Sequence, residues 1–232
     1  MQRYYVLTLA FKMGDTTIEV HPVLIREGND LILCDAGYPN QMDQIEAELA
    51  KYGYLVKDLT KVFITHHDHD HVGSLALLKQ KNPMLKILSS ELEAPYINGT
   101  QKSLRLIQAE AYNQTLPDEG RVFGEQFVNY LKTISSAPVD EIVSDKDYIA
   151  EGVRVIATPG HTPGHSSLML EDENILIVGD ALAYENHELT IANPEFTLDL
   201  DGCEQSIQKI RQMKFQKLIC YHGGIVEGHF GE

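Results

Sequence analysis

The residues Thr65-His66-His67-Asp68-His69-Asp70-His71-Val72-Gly73 follow directly on Lys61-Val62-Phe63-Ile64. That junction restricts the fold more than any other stretch of the chain. The β-branched and aromatic side chains of residues 61–64 predict a buried strand. At its end, the six positions from His66 to His71 hold four imidazoles and two carboxylates. Imidazole nitrogen and carboxylate oxygen are the donors that bind zinc, iron and manganese, and a rigid strand end can aim several of them at one point. The junction therefore predicts a metal centre at the edge of a sheet.

The flanking sequence supplies the rest of such a fold. Residues 1–39 predict a β-meander, with strands over 4–11, 17–25 and 31–34 separated by the turns Gly14-Asp15 and Gly28-Asn29-Asp30. The last of these strands runs into Asp35-Ala36-Gly37. Met42, Ile45, Leu49 and Tyr52 then recur at helical spacing. A helix over 74–81 and a strand over 84–88 complete a β-α-β order. Residues 91–135 break the rhythm. Leu104, Ile107 and Ala111 mark a helix there, so this stretch predicts a helical insertion, which is a lid, a homodimer contact or a plain surface excursion. Strands return over 148–149, 153–157, 167–170 and 175–178, followed by an amphipathic helix over 203–214 and a strand over 217–220. Two similar halves, with no linker between them, predict one domain over residues 1–232.

Composition limits what this domain acts on. Among 232 residues, 34 acidic against 19 basic side chains give a formal charge of −15, the wrong sign for a nucleic-acid backbone or an anionic membrane. A small-molecule substrate is the expected partner. Cys34, Cys203 and Cys220 are too few and too scattered for a disulfide framework. No signal peptide or apolar span is read at the N-terminus, so the expected location is cytoplasmic.

Three further clusters stand at predicted strand ends: Thr158-Pro159-Gly160-His161-Thr162-Pro163-Gly164-His165, Val178-Gly179-Asp180 and Cys220-Tyr221-His222-Gly223-Gly224. With Asp35-Ala36-Gly37 and the opening loop they form an ordered series that resembles the metallo-β-lactamase superfamily along nearly the whole chain. The resemblance implies an α/β fold, a four-layer αβ/βα sandwich with the site between its halves. It also implies a dinuclear site for two divalent ions, of zinc, manganese or iron. Carried over by position, His66, residue 68 and His165 hold the first ion, Asp70, His71 and His222 the second, and Asp180 bridges them. Asp35 orients a ligand imidazole, and His161 stands beside the ligands rather than among them. His67 and His69 occupy spacer positions.

Position 68 departs from that pattern, because an acid stands where the superfamily usually has a second histidine. Asp68 is expected to bind the first ion through oxygen. That lowers the positive charge of the pair and favours manganese or iron over zinc. The chemistry implied is attack by a metal-bound hydroxide on a small ester, lactone or thioester, with Asp70 orienting the nucleophile and Tyr184 donating to the developing oxyanion. The short stretch after His222 and the acidic surface count against glutathione thioesterase and nuclease members. Two alternatives stand beside this reading: an iron oxygenase resembling the persulfide dioxygenases, built on His66, His165 and Asp180, and a metal-binding module without catalysis.

Overall fold

In the computed structural model, which describes residues 2–14 and 16–230, apolar runs alternate between two buried faces. In the first half β1 (Tyr4–Val6), β2 (Leu9–Met13), β3 (Thr16–Val20), β4 (Val23–Glu27), β5 (Asp30–Cys34), β6 (Lys61–Phe63), β7 (Lys86–Ser90) and β8 (Glu141–Val143) follow in chain order. Six of them form a sheet in the order β1-β4-β5-β6-β7-β8, while β2 and β3 pair as a separate hairpin. The second half contributes β9 (Tyr148–Ala150), β10 (Val153–Ala157), β11 (Ser166–Leu170), β12 (Ile175–Gly179), β13 (Ala183–Glu185), β14 (Glu188–Thr190), β15 (Phe215–Cys220) and β16 (Gly224–Phe230). Its six-stranded sheet runs β16-β15-β12-β11-β10-β9.

The alternation of side chains along each strand explains the layers. Val23, Ile25, Ile32, Cys34 and Phe63 of the first sheet meet Val153, Val155, Leu168, Leu170, Ile175 and Ile177 of the second in one cluster between the sheets. The intervening residues Leu24, Leu31, Leu33 and Val62 face the other way. They pack on Ile45 and Leu49 of α1 (Met42–Lys51) and on α3 (Leu75–Lys81), which follows the single turn α2 (His69–Val72). On the far side Met169, Leu176, Val178 and Leu218 cover Ile207 and Ile210 of α7 (Leu200–Arg211). The result is the four-layer αβ/βα sandwich, and burial on both faces is why strands such as Ile175–Gly179 are apolar at every position.

Local structure refines the expected elements. The first two strands each divide, the second at His21-Pro22, whose proline cannot donate to a ladder. Asp15, half of the first expected turn, lies outside the described residues. The insertion holds three helices: α4 (Ala94–Ile97), α5 (Leu104–Thr115) and α6 (Asp118–Leu131). Pro117 opens α6, where its fixed φ suits a helix start. Strands β8, β13, β14 and β16 were not expected. Among the described residues, no helix is long and apolar enough to cross a membrane.

Candidate metal centre

The C-terminal ends of β5, β6, β10, β12 and β15 converge, and each hands a polar residue to the same place. Asp35 leaves β5 with φ +65, a conformation that costs a non-glycine residue about 1–3 kcal/mol unless its surroundings enforce it. Here they do. Its N–H donates to the Phe63 carbonyl at 2.9 Å, and its carboxylate accepts from Thr65 N–H at 2.9 Å and from Thr65 Oγ1. Oδ2 also lies 2.9 Å from His71 Nδ1, which fixes that ring and leaves Nε2 facing inward. Thr65 Oγ1 lies 3.0 Å from His66 Nδ1 and turns the second imidazole the same way. Tyr221 adds support, its ring 3.8 Å from that of His71 and its hydroxyl donating to the Asp70 carbonyl.

Asp70, His71, Asp180 and His222 bring one donor atom each to within 4.8 Å of one another, and His66, His161 and Asp180 form a second such set. His71 Nε2 is 3.2 Å from Asp180 Oδ1, and His222 Nε2 is 3.2 Å from Asp70 Oδ2 and 3.5 Å from Asp180 Oδ2. These approaches are not aligned as hydrogen bonds. Nε2 of His66, His71 and His222 and Oδ1 of Asp180 are all buried without a hydrogen-bond partner. Buried polar atoms are normally paired, so unpaired atoms aimed at one another fit a cation that completes them. Charge agrees with this. Although burial opposes an imidazolium, Asp180, Asp35 and Asp70 hold His71 well above its ordinary value, and Asp180 and Asp70 push His222 up to about 10. Burial likewise opposes the carboxylates, yet His222 and His71 keep Asp180 well below the usual range, and His71 and His69 lead in lowering Asp70. Two anions and two proton-hungry imidazoles form a pocket in which a divalent ion would displace protons.

Three expected site residues have protein partners of their own. His165, expected as a ligand, uses both ring nitrogens within the protein, and His161, expected beside the ligands, turns Nε2 toward the centre. His165 Nε2 accepts the Asp180 N–H at 3.0 Å, and its Nδ1 lies 2.9 Å from Thr158 Oγ1, so both ring nitrogens are in use. Gly179, at φ +52, permits this contact, since a Cβ there would stand 2.7 Å from His165 Nε2. His161 Nε2 is the nitrogen that faces His66 and Asp180. Asp68 stands outside both donor sets; its Oδ2 accepts from Arg105 Nε at 3.1 Å and Nη2 at 2.5 Å, while its Oδ1 is buried without a hydrogen-bond partner. Tyr184 donates its N–H to the His222 carbonyl and packs its half-buried ring on the α7 cluster and edge-on to His187.

His67 turns to Glu93 and stacks 4.5 Å from Tyr96, while His69 is ringed by Tyr38, Phe127 and Tyr130 at 5.5–5.8 Å. Glu93, Arg105 and Tyr130 all belong to the insertion or its entrance, and nothing in their local sequence marks them. Glu93, fully buried, accepts from His67 N–H at 3.0 Å, Thr162 Oγ1 at 2.7 Å and Gly164 N–H at 2.7 Å. It thereby ties the two histidine loops together. The Tyr130 hydroxyl is buried without a partner, and burial together with the Asp70 charge pushes it up to about 12.

A fold of this topology, with clustered histidines and carboxylates at the strand ends, defines a metallo-hydrolase-like α/β sandwich. A profile of the Metallo-beta-lactamase superfamily matches residues 16–222, and the chain belongs to that family. It is 27% identical over 217 residues to the "Probable metallo-hydrolase YflN" of Bacillus subtilis, covering 85% of this chain and 76% of the relative. To the hydroxyacylglutathione hydrolase of Bartonella henselae it is 24% identical over 226 residues, 82% of this chain and 75% of that one. Among solved structures, a metallo-beta-lactamase family protein from Thermus thermophilus superposes with a TM-score of 0.77 at 19% identity, covering 98% of this chain and 75% of that chain.

Proposed function

We propose that the protein is a metal-dependent hydrolase of small esters, lactones or thioesters, with its catalytic ion held by Asp70, His71, Asp180 and His222. The observation that carries this reading is the set of inward-facing, unpaired donor atoms at that point. A divalent ion there would supply the Lewis acidity that lowers the pKa of water and polarises a carbonyl oxygen. The chain's own groups supply the rest. Asp70, ionised across the physiological range, can accept a proton from a nucleophilic water. Tyr130 keeps its proton below about pH 12 and has no other partner for it, so it can donate to a substrate oxygen. It replaces Tyr184 in that role. Phe127, Tyr130, Tyr38 and Phe196 line an aromatic approach around His69, which suits an acyl group better than a phosphate. A relative named hydroxyacylglutathione hydrolase supports an acyl substrate.

The set His66, His161 and Asp180 favours a second reading, because two histidines and one carboxylate are the donor face of non-haem iron oxygenases. One experiment separates the two. Protein stripped with chelator and reloaded with zinc, manganese or iron is assayed on nitrophenyl esters, lactones and acyl thioesters while dissolved oxygen is followed. Metal-restored hydrolysis that Asp180→Asn abolishes is expected. Oxygen uptake by the iron form without hydrolysis would replace this reading with the second.

A further inference from the structure

The pair Asp68–Arg105 is a buried charged contact at the centre that the proposed hydrolysis does not use. Arg105 lies on α5 in the insertion and is 2% exposed. Each of its nitrogens is engaged: Nε and Nη2 donate to Asp68 Oδ2, and Nη1 donates to the Phe196 carbonyl at 2.5 Å and to Gln108 Oε1. Its guanidinium carbon lies 4.9 Å over the Phe196 ring. A guanidinium so fully bound is a fixed cation rather than a substrate clamp. It neutralises the acid that would otherwise have completed the three-donor set.

The pair also occupies one of that set's donors. His161 Nε2 is 3.1 Å from Asp68 Oδ2 and 3.4 Å from Arg105 Nη2. Whether this nitrogen donates to the carboxylate or accepts from the guanidinium, its lone pair is not free for a metal. Beside the pair, His66 Nε2 and Asp68 Oδ1 are also buried without a partner, so what the pair takes from that set is His161; in the four-donor set His71 Nε2, His222 Nε2 and Asp180 Oδ1 all have no hydrogen-bond partner. The four-donor set also has two carboxylates of its own, Asp70 and Asp180, and among the described residues no arginine or lysine is paired to either.

From this geometry we infer that the Asp68–Arg105 ion pair takes the place of a first metal ion, so that the chain holds a single ion, at Asp70, His71, Asp180 and His222. The inference rests on the centre binding metal, not on which substrate is cleaved. Arg105 is then a positioning residue. It keeps a positive charge beside His66 and His161 without offering a Lewis acid, and with Asp68 it occupies His161, one of the two histidines of the oxygenase face.

The test is metal stoichiometry. Stripped wild-type protein is titrated with zinc and with cobalt(II), using equilibrium dialysis with elemental analysis and the visible absorption of cobalt. One ion per chain is expected, with any second at least 100-fold weaker. The double variant Asp68→His/Arg105→Gln, which restores a neutral donor and removes the cation, is expected to take two, with a second set of cobalt bands. Two wild-type ions within tenfold of each other in affinity would overturn the inference, as would a folded double variant that still stops at one. If the double variant does not fold, the wild-type stoichiometry decides alone. A wild-type protein that binds no ion would instead refute the metal-dependent reading itself, whereas one tight ion without esterase activity would refute only the proposed substrate.

Discussion

Glu93→Ala should be among the most damaging single substitutions outside the donors themselves. The carboxylate is fully buried and accepts from two backbone N–H groups, those of His67 and Gly164, from the Thr162 hydroxyl and from the His67 ring. Burial disfavours its charge, but His67 and Thr162 more than offset this and hold it below the ordinary glutamate range. Truncation to alanine leaves two amides that no rotation can re-pair. Each unsatisfied buried donor costs about 1–3 kcal/mol, so the two amides together cost about 2–6 kcal/mol. A loss near 4 kcal/mol is therefore expected, a large share of the roughly 5–15 kcal/mol that holds a typical domain together. Urea unfolding followed by circular dichroism, with chelator present so that metal loss does not contribute, would read this as a fall in midpoint of about 2 M for an m-value near 2 kcal/mol/M. Glu93→Gln, which keeps the shape and one acceptor, should lose about half as much. A midpoint shift below about 0.5 M for the alanine variant would refute the claim that Glu93 holds the two histidine loops together.

Two other outcomes follow from the geometry. Asp35→Ala frees the His71 ring, held now at 2.9 Å, and should weaken metal binding roughly 10–100-fold in competition with a chromophoric chelator; unchanged affinity would mean the ring is oriented by Thr65 and Tyr221 alone. In chelator-treated protein, His222 is raised from 6.5 to about 10, so its contribution to stability is complete below pH 6.5 and fades as pH rises through 10. The melting temperature should fall over that window, and His222→Gln should flatten the slope; a flat wild-type profile would contradict the charge assignment.

The layers were legible because each strand's apolar run had to be buried on both sides, and the strand ends were legible because donors cluster where strands stop. How the two histidines of one tight loop are partnered was not. His161 and His165 are four residues apart on either side of Pro163-Gly164, and elements distant in the chain engage them: the Asp180 amide takes His165 Nε2, while His161 Nε2 meets Asp68 and Arg105. Long-range partners were equally hidden. Arg105 reaches Asp68 across 37 residues, and Glu93 meets Gly164 across 71. Neither spacing carries a periodic signal. The departure at Asp68 was visible in the sequence, but its meaning was set by a helix in the insertion, a stretch with no expected tie to the metal centre.

The donors at the strand ends come from both halves of the chain: Asp70 and His71 from the first, Asp180 and His222 from the second. An ion bound there would be a removable cross-link. Joining Asp70 to His222 closes a loop of roughly 150 residues, and in the chain-entropy view a link across a loop of that order is worth about 5 kcal/mol against the unfolded state. Metal supply would then set how long the protein survives as well as how fast it works, with starved molecules the first to open along the contact between the two sheets.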